Sequence, residues 1–237
     1  MKHISLGDID VEVVQKDIKN VHLSVYPPTG RVRIAAPLRM PLETIRIYAI
    51  GKMAWIRRQQ KKFAEQAREA PREYLNKEGH YFLGNRYLMK IVEKDAPPEV
   101  KLTHKTLELV VRPNTATEKK QEILEAWYRD RLREAAIPLI KKWEKKMDLT
   151  LNYFSIRRMK TKWGSCNIDA KRMVLNTELA KKPLHSIEFI IIHELVHLKE
   201  RNHNARFMVL MDRYLPEWRD VKQELSKMPV GYVEWGE

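Results

Sequence analysis

The sequence predicts an α+β protein in which strand-rich and helix-rich stretches follow one another instead of alternating. Three observations predict it. Up to about residue 112, short runs alternate apolar and polar residues across clusters of turn formers. From Thr117 onward, apolar residues recur every three or four positions. The most apolar of these helical stretches carries an H-E-x-x-H motif. The change of character near 113–118 divides the chain into an N-terminal antiparallel β-rich region, 1–115, with one long helix, and a region 116–237 that holds the motif.

The N-terminal elements begin with an antiparallel hairpin, Val21–Tyr26 and Arg31–Ala35, across Pro27-Pro28-Thr29-Gly30. Pro41 opens a helix over 41–70, along which Leu42, Ile45, Ile47, Ile50, Met53, Ala54, Ile56 and Phe63 recur, with Trp55 expected in the packed face. The run Arg57 to Lys62 reads as the solvated side of that helix, with a nucleic-acid patch as the alternative. Tyr81 to Met89 resembles a second hairpin, and Val100–Thr103 with Thr106–Arg112 a third. Beyond Thr117, the residues Ile123, Leu124, Trp127, Leu132, Ala135, Ala136, Leu139, Ile140 and Trp143 mark one helix face, which Pro138 either kinks or divides. No internal repeat or low-complexity segment stands out.

Composition bounds the function. A chain of 237 residues is long enough for a proper core in one elaborated domain or two small ones. With 45 Lys and Arg against 31 Asp and Glu, the charge of +14 suits polyanionic company, whether nucleic acid, nucleotides, acidic proteins or a membrane surface. A single cysteine, Cys166, excludes an internal disulfide and fits a reducing compartment. The N-terminus lacks the apolar run of a signal peptide, and the longest aliphatic block is too short to span a bilayer. A cytoplasmic protein without membrane association is expected.

On a helix, His193 and His197 lie one turn apart on one face, so both imidazoles can reach one cation, while Glu194 points beside them toward a bound water. H-E-x-x-H arises in about 2% of shuffled versions of this composition, and with a histidine at 203 in about 0.1%. Glu200 shares the face of His193 but lies about 10 Å along the axis of a continuous helix, too far for a zinc bond of about 2 Å. His203 serves if the helix ends near Arg201 and the chain turns back, with Asn202 in the left-handed conformation that such a reversal uses. The expected ligands of Zn2+ are therefore His193, His197 and His203, with manganese or nickel as alternatives, and Glu194 is the general base. The plain alternative is an amphipathic helix whose histidines are catalytically idle.

Ahead of the motif helix lie Met159-Lys160, Trp163-Gly164-Ser165-Cys166 and Leu175-Asn176. Together with His193-Glu194-Leu195-x-His197-Leu198 and Asn202-His203, over nearly the whole chain, the sequence resembles the YgjP-like (DUF45) metal-dependent hydrolases, relatives of the SprT and WLM metallopeptidases. The resemblance implies a zincin-like, minigluzincin-type catalytic region. In it a small antiparallel sheet, whose edge strand can hold an extended substrate, packs on the motif helix. It assigns metal binding to His193, His197 and His203 and catalysis to Glu194. The x5 spacing also matches the metzincin pattern, but Glu200 stands where a glycine would, so that group is not assigned.

Around this core, Arg157, Lys160, Trp163, Ser165, Cys166 and Asn176 are candidates to line the cleft. The Trp163–Cys166 segment is otherwise a tight turn under the site, with Cys166 a modulating thiol or, third, a nucleophile. Arg157, Arg158, Lys160 and Lys162 bind a phosphate or carboxylate, or form the wet face of a strand. The expected activity is metal-assisted hydrolysis by a metallopeptidase acting on an extended peptide or protein substrate. The alternatives are nucleoside triphosphate (UTP-type) pyrophosphatase chemistry on the same metal, and a nucleic-acid-binding accessory protein whose metal is structural.

Overall fold

The computed structural model describes residues 2–26, 29–65, 73–159 and 162–228. The chain divides into two compact units, Met1–Ala67 and Arg68–Glu237. The change of composition at 113–118 falls inside the second unit, where a sheet gives way to the long helix packed on it.

The first unit holds four strands, β1 (Lys2–Leu6), β2 (Ile9–Lys16), β3 (His22–Tyr26) and β4 (Arg31–Pro37). The order is β1-β2-β4-β3. The β1–β2 and β3–β4 pairs are antiparallel hairpins, the second as the sequence predicts, but β2 and β4 pair in parallel. The sheet is therefore mixed, not antiparallel. A hairpin is encoded locally by its turn, whereas the pairing of one hairpin with the next depends on which faces the core covers. Here Val11, Val13, Val32 and Ile34 are buried against Ile45, Ala49 and Ile56.

The last three belong to two helices, α1 (Leu42–Gly51) and α2 (Met53–Glu65), where the sequence predicts one helix over 41–70. The break falls at Lys52, with φ −102° and ψ 2°, directly after Gly51. Glycine is, after proline, the residue that gains least from remaining helical. Trp55 is 37% exposed, so it does not lie in the packed face, which Ile45, Ala49 and Ile56 fill. Arg57 is solvated and pairs with Asp8 at 3.0 Å. Pro27, Pro28 and residues 66–70 lie outside the described residues.

In the second unit, β5 (Gly79–Phe82), β6 (Asn85–Glu93), β7 (Glu99–Leu102) and β8 (Thr106–Val111) repeat the strand order of the first, β5-β6-β8-β7, again with a parallel central pair. This is a repeat of topology that no periodicity of residues announces. Leu83 and Gly84, both at positive φ, make the tight β5–β6 turn. The turn rests on the chain leading into the motif helix. The Leu83 N–H donates to Ala180 O at 2.9 Å, and a Cβ on Gly84 would stand 2.9 Å from Pro183 Cγ.

Helix α3 (Thr117–Met147) runs unbroken through Pro138 and buries Leu124, Tyr128, Leu132, Ala136, Ile140, Trp143 and Met147. Asp148 ends it in the left-handed conformation. Next come β9 (Tyr153–Arg157), β10 (Gly164–Asn167) and β11 (Arg172–Asn176) in the order β10-β11-β9. This small sheet is also mixed, because β11 pairs antiparallel with β10 but parallel with β9. A 3-10 turn, Thr177–Lys181, leads to α4 (Leu184–Val196), α5 (Ala205–Tyr214) and α6 (Trp218–Lys227). No helix among the described residues is long and apolar enough to cross a membrane.

Candidate metal centre

Helix α4 is buried through Ile187, Phe189, Ile190, Ile191, Ile192, Leu195 and Val196, on nearly all its sides. It packs on α3, α5, α6 and β10. A helix so enclosed holds the side chains at its C-terminal end with little freedom, and these are His193, Glu194 and, as its cap, His197.

Past His197 the chain reverses without a left-handed residue at Asn202, which is not among the described positions of positive φ. The reversal is held instead by side chains. The Asn202 N–H donates to Glu200 Oε1 at 3.2 Å, and Asn204 caps α5 by accepting the Phe207 N–H at 3.0 Å. Glu200 thus serves the turn as the sequence geometry requires of a non-ligand, and His203 is delivered one residue before the cap.

The three imidazoles meet. One ligand atom from each of His193, His197 and His203 lies within 4.8 Å of the others. The Nε2 atoms of His193 and His203 stand 3.0 Å apart, close to the spacing of two nitrogens on one zinc at about 2.0–2.1 Å. His197 Nδ1 is 3.2 Å from Glu200 O, and the tautomer that donates there leaves Nε2 free as a donor to a cation. Beneath all three rings lies Phe207, fully buried, with ring centroids 5.0, 4.9 and 4.6 Å from those of His193, His197 and His203.

Electrostatics favours the neutral form of His193 and His203. Burial, followed by the charges of His197, His203 and Lys222, pushes His193 down to about 3. Burial, His197 and Lys222 also lower His203. Glu194 is only 5% exposed, and burial pushes its carboxyl up to about 7 against the opposing charge of Lys162. It faces Gly164, where a Cβ would stand 2.7 Å from Glu194 Oε1. Three imidazole nitrogens around one point, with a carboxyl beside them that is not needed as a ligand, fit a catalytic divalent cation: three protein ligands and one open position.

The remaining sequence candidates separate. Cys166 shares the site-facing side of β10 with Gly164 by strand alternation, and burial, then Glu194, pushes its thiol up to about 11, which suits a packed group and not a nucleophile. Ser165 points to the other face of that strand. Trp163 is half-buried under Lys182, whose Nζ lies 5.6 Å from the indole centroid. Arg157 ends β9, the opposite edge of the sheet, and Arg158 is tied to Glu125 at 2.8 Å. Lys160 lies outside the described residues.

Asn176 is buried as a clamp and does not line a cleft. Its Nδ2 donates to Met159 O and Lys162 O, both at 2.8 Å, and its Oδ1 accepts the N–H groups of Met159 and Glu178. Sequence reasoning missed Asn204, Phe207 and Lys222. Asn204 alone carried a signal, as a capping residue just before an apolar periodic run.

This combination of core helix, converging imidazoles and buried carboxyl defines a metal-dependent hydrolase. Residues 19–228 match the model of the YgjP-like metallopeptidase domain, and the chain belongs to that family. Among solved structures, it is similar to the metallopeptidase zymogen of Pyrococcus abyssi abylysin, at 18% identity over 37% of this chain and 89% of that one, with a TM-score of 0.35. It is also similar to the metallopeptidase zymogen of Methanocaldococcus jannaschii jannalysin, at 24% identity over 41% and 92%, with a TM-score of 0.30. No curated protein matches the chain.

Proposed function

We propose that the protein is a zinc-dependent metallopeptidase of the cytoplasm, with His193, His197 and His203 as the metal ligands and Glu194 as general base. The observation that carries this reading is the convergence of three imidazole donors beside a buried carboxyl. A divalent cation held there supplies Lewis-acid polarisation of the scissile carbonyl and acidifies the attacking water.

The chain's own residues do the rest. Glu194, placed near neutrality by burial, takes the proton from water and returns it to the leaving amine. Among the described residues, strand β10 pairs only with β11, and its other edge suits an extended peptide added as a further strand. Gly164 carries no side chain where that strand passes Glu194, so β10 itself can lie against the carboxyl. Cys166, the one cysteine, suits a reducing compartment.

The test compares wild type with Glu194→Gln for bound metal and for turnover of an unfolded protein and of nucleoside triphosphates. We expect peptide hydrolysis that falls about 10²–10⁴-fold in the variant with the metal retained. Equal turnover in the two removes Glu194 from the mechanism, and Glu194-dependent cleavage of triphosphates alone replaces the peptide substrate.

A further inference from the structure

The three imidazoles belong to a cluster of four rings. Between His193 and His197, His193 and His203, and His197 and His203 the centroids lie 5.0, 4.9 and 4.7 Å apart, and that of Phe207 lies 5.0, 4.9 and 4.6 Å from His193, His197 and His203. The separations are nearly equal, so the rings stand at the corners of a near-regular tetrahedron. A point equidistant from three others lies on the axis through the middle of their triangle. Phe207 therefore closes one end of that axis, and it does so with carbon atoms, which do not ligate a cation.

Burial tells which end is left. Phe207 is 1% exposed, whereas His193 and His197 are half-buried and His203 is exposed, so the triangle has Phe207 on its inner side and solvent on its outer side. The ring is also fixed in place. The Phe207 N–H donates to Asn204 Oδ1 at 3.0 Å in the first turn of α5, and Met211, one turn on along the same face, is buried with it.

An ion held evenly by three imidazole nitrogens lies on that same axis, and so does the fourth donor of a tetrahedral site. With the inner end closed, further donors reach the ion from the outer side alone. Zinc has no geometric preference and is satisfied by four donors, whereas manganese favours an octahedral set and nickel a square-planar or tetragonal one.

We propose that Phe207 is a positioning residue for the metal: its ring blocks the inner end of the ligand axis, holds the ion to three imidazoles with its open position facing outward, and thereby selects zinc over manganese and nickel. The inference rests on the metal site of the metallopeptidase reading and adds to it which ion the site takes and from which side it is approached.

The test loads the whole chain with cobalt, whose visible bands are strong when it has four donors and weaken when a fifth or sixth joins, and measures by competition the ratio of zinc to nickel affinity. Wild type should show the strong bands. Phe207→Leu, which keeps an apolar side chain in the core but loses the ring, and Phe207→Ala should weaken the bands and shrink the ratio about tenfold or more. Met211→Ala truncates a buried side chain of the same helix; it should lower the melting temperature and leave bands and ratio as in wild type.

Weak bands in the wild type, bands and ratio unchanged in Phe207→Leu, or an equal change in Met211→Ala overturns the proposal. None of these readouts uses turnover. Bands that respond to Phe207→Leu in a protein that cleaves no peptide retain the role of Phe207 and remove the metallopeptidase. Bands that survive His203→Ala remove the metal site of that reading and this inference with it.

Discussion

The carboxyl of Glu194 is held near 7 because α4 and β10 exclude water from it, and the charge of Lys162 offsets that burial only in part. In the metal-free protein this has a consequence for stability. Its folded value exceeds the unfolded 4.5, so its contribution is fully present below 4.5 and is lost as pH rises through 7. His193 works in the other sense: at about 3 it lies below the unfolded 6.5, so its contribution is present above 6.5 and is lost as pH falls toward 3. With a chelator present, Glu194→Gln should therefore stabilise the fold at pH 8, by about 3 kcal/mol at most, and by much less at pH 5. Thermal unfolding of both proteins at the two pH values checks this; an equal shift at both contradicts it. At this scale the meeting of His193, His197 and His203 beside Glu194 was legible, because helical spacing and the chemistry of imidazole point to it without a fold. The clamp made by Asn176 and the ring floor made by Phe207 were not, since both depend on partners that are neighbours only after folding.

Among the elements, the hairpins followed from local turn chemistry, but the parallel pairs β2–β4, β6–β8 and β9–β11 did not, because no residue pattern records which hairpin or strand lies beside another. The same holds for α1 and α2, where apolar spacing continues past the break at Lys52. The α4–α5 connection is the element on which the proposed third ligand depends. Its Asn204 cap fixes the start of α5, and with it both His203 and the Phe207 ring beneath the imidazoles. Asn204→Ala should cost about 1 kcal/mol of stability and weaken metal binding more than an exposed control such as Asn152→Ala. Titration with a metallochromic competitor measures the second effect, and unchanged affinity would show that His203 is placed by other means.

Over the whole molecule, apolar residues collect in two separate cores. One lies under the β1–β4 sheet, and the other gathers α3, α4 and the strands of the second unit. The motif and all three histidines belong to the second. Separate cores predict two unfolding transitions in calorimetry, and a metal at 1,000 times its Kd should raise only the second, by about 4 kcal/mol. A single transition, or an equal rise in both, would contradict that division. The sequence placed its boundary by composition, at the start of α3, whereas the compact units follow which sheet shares a core with which helix.

The coordination of a bound ion is the feature from which the proposed chemistry follows, and X-ray absorption at the zinc edge of the loaded protein reads it directly. The expected spectrum has three imidazole nitrogens and one light oxygen donor at about 2.0–2.1 Å, with one imidazole lost in His203→Ala. A sulfur ligand from Cys166, or a first shell unchanged in His203→Ala, would contradict the assignment.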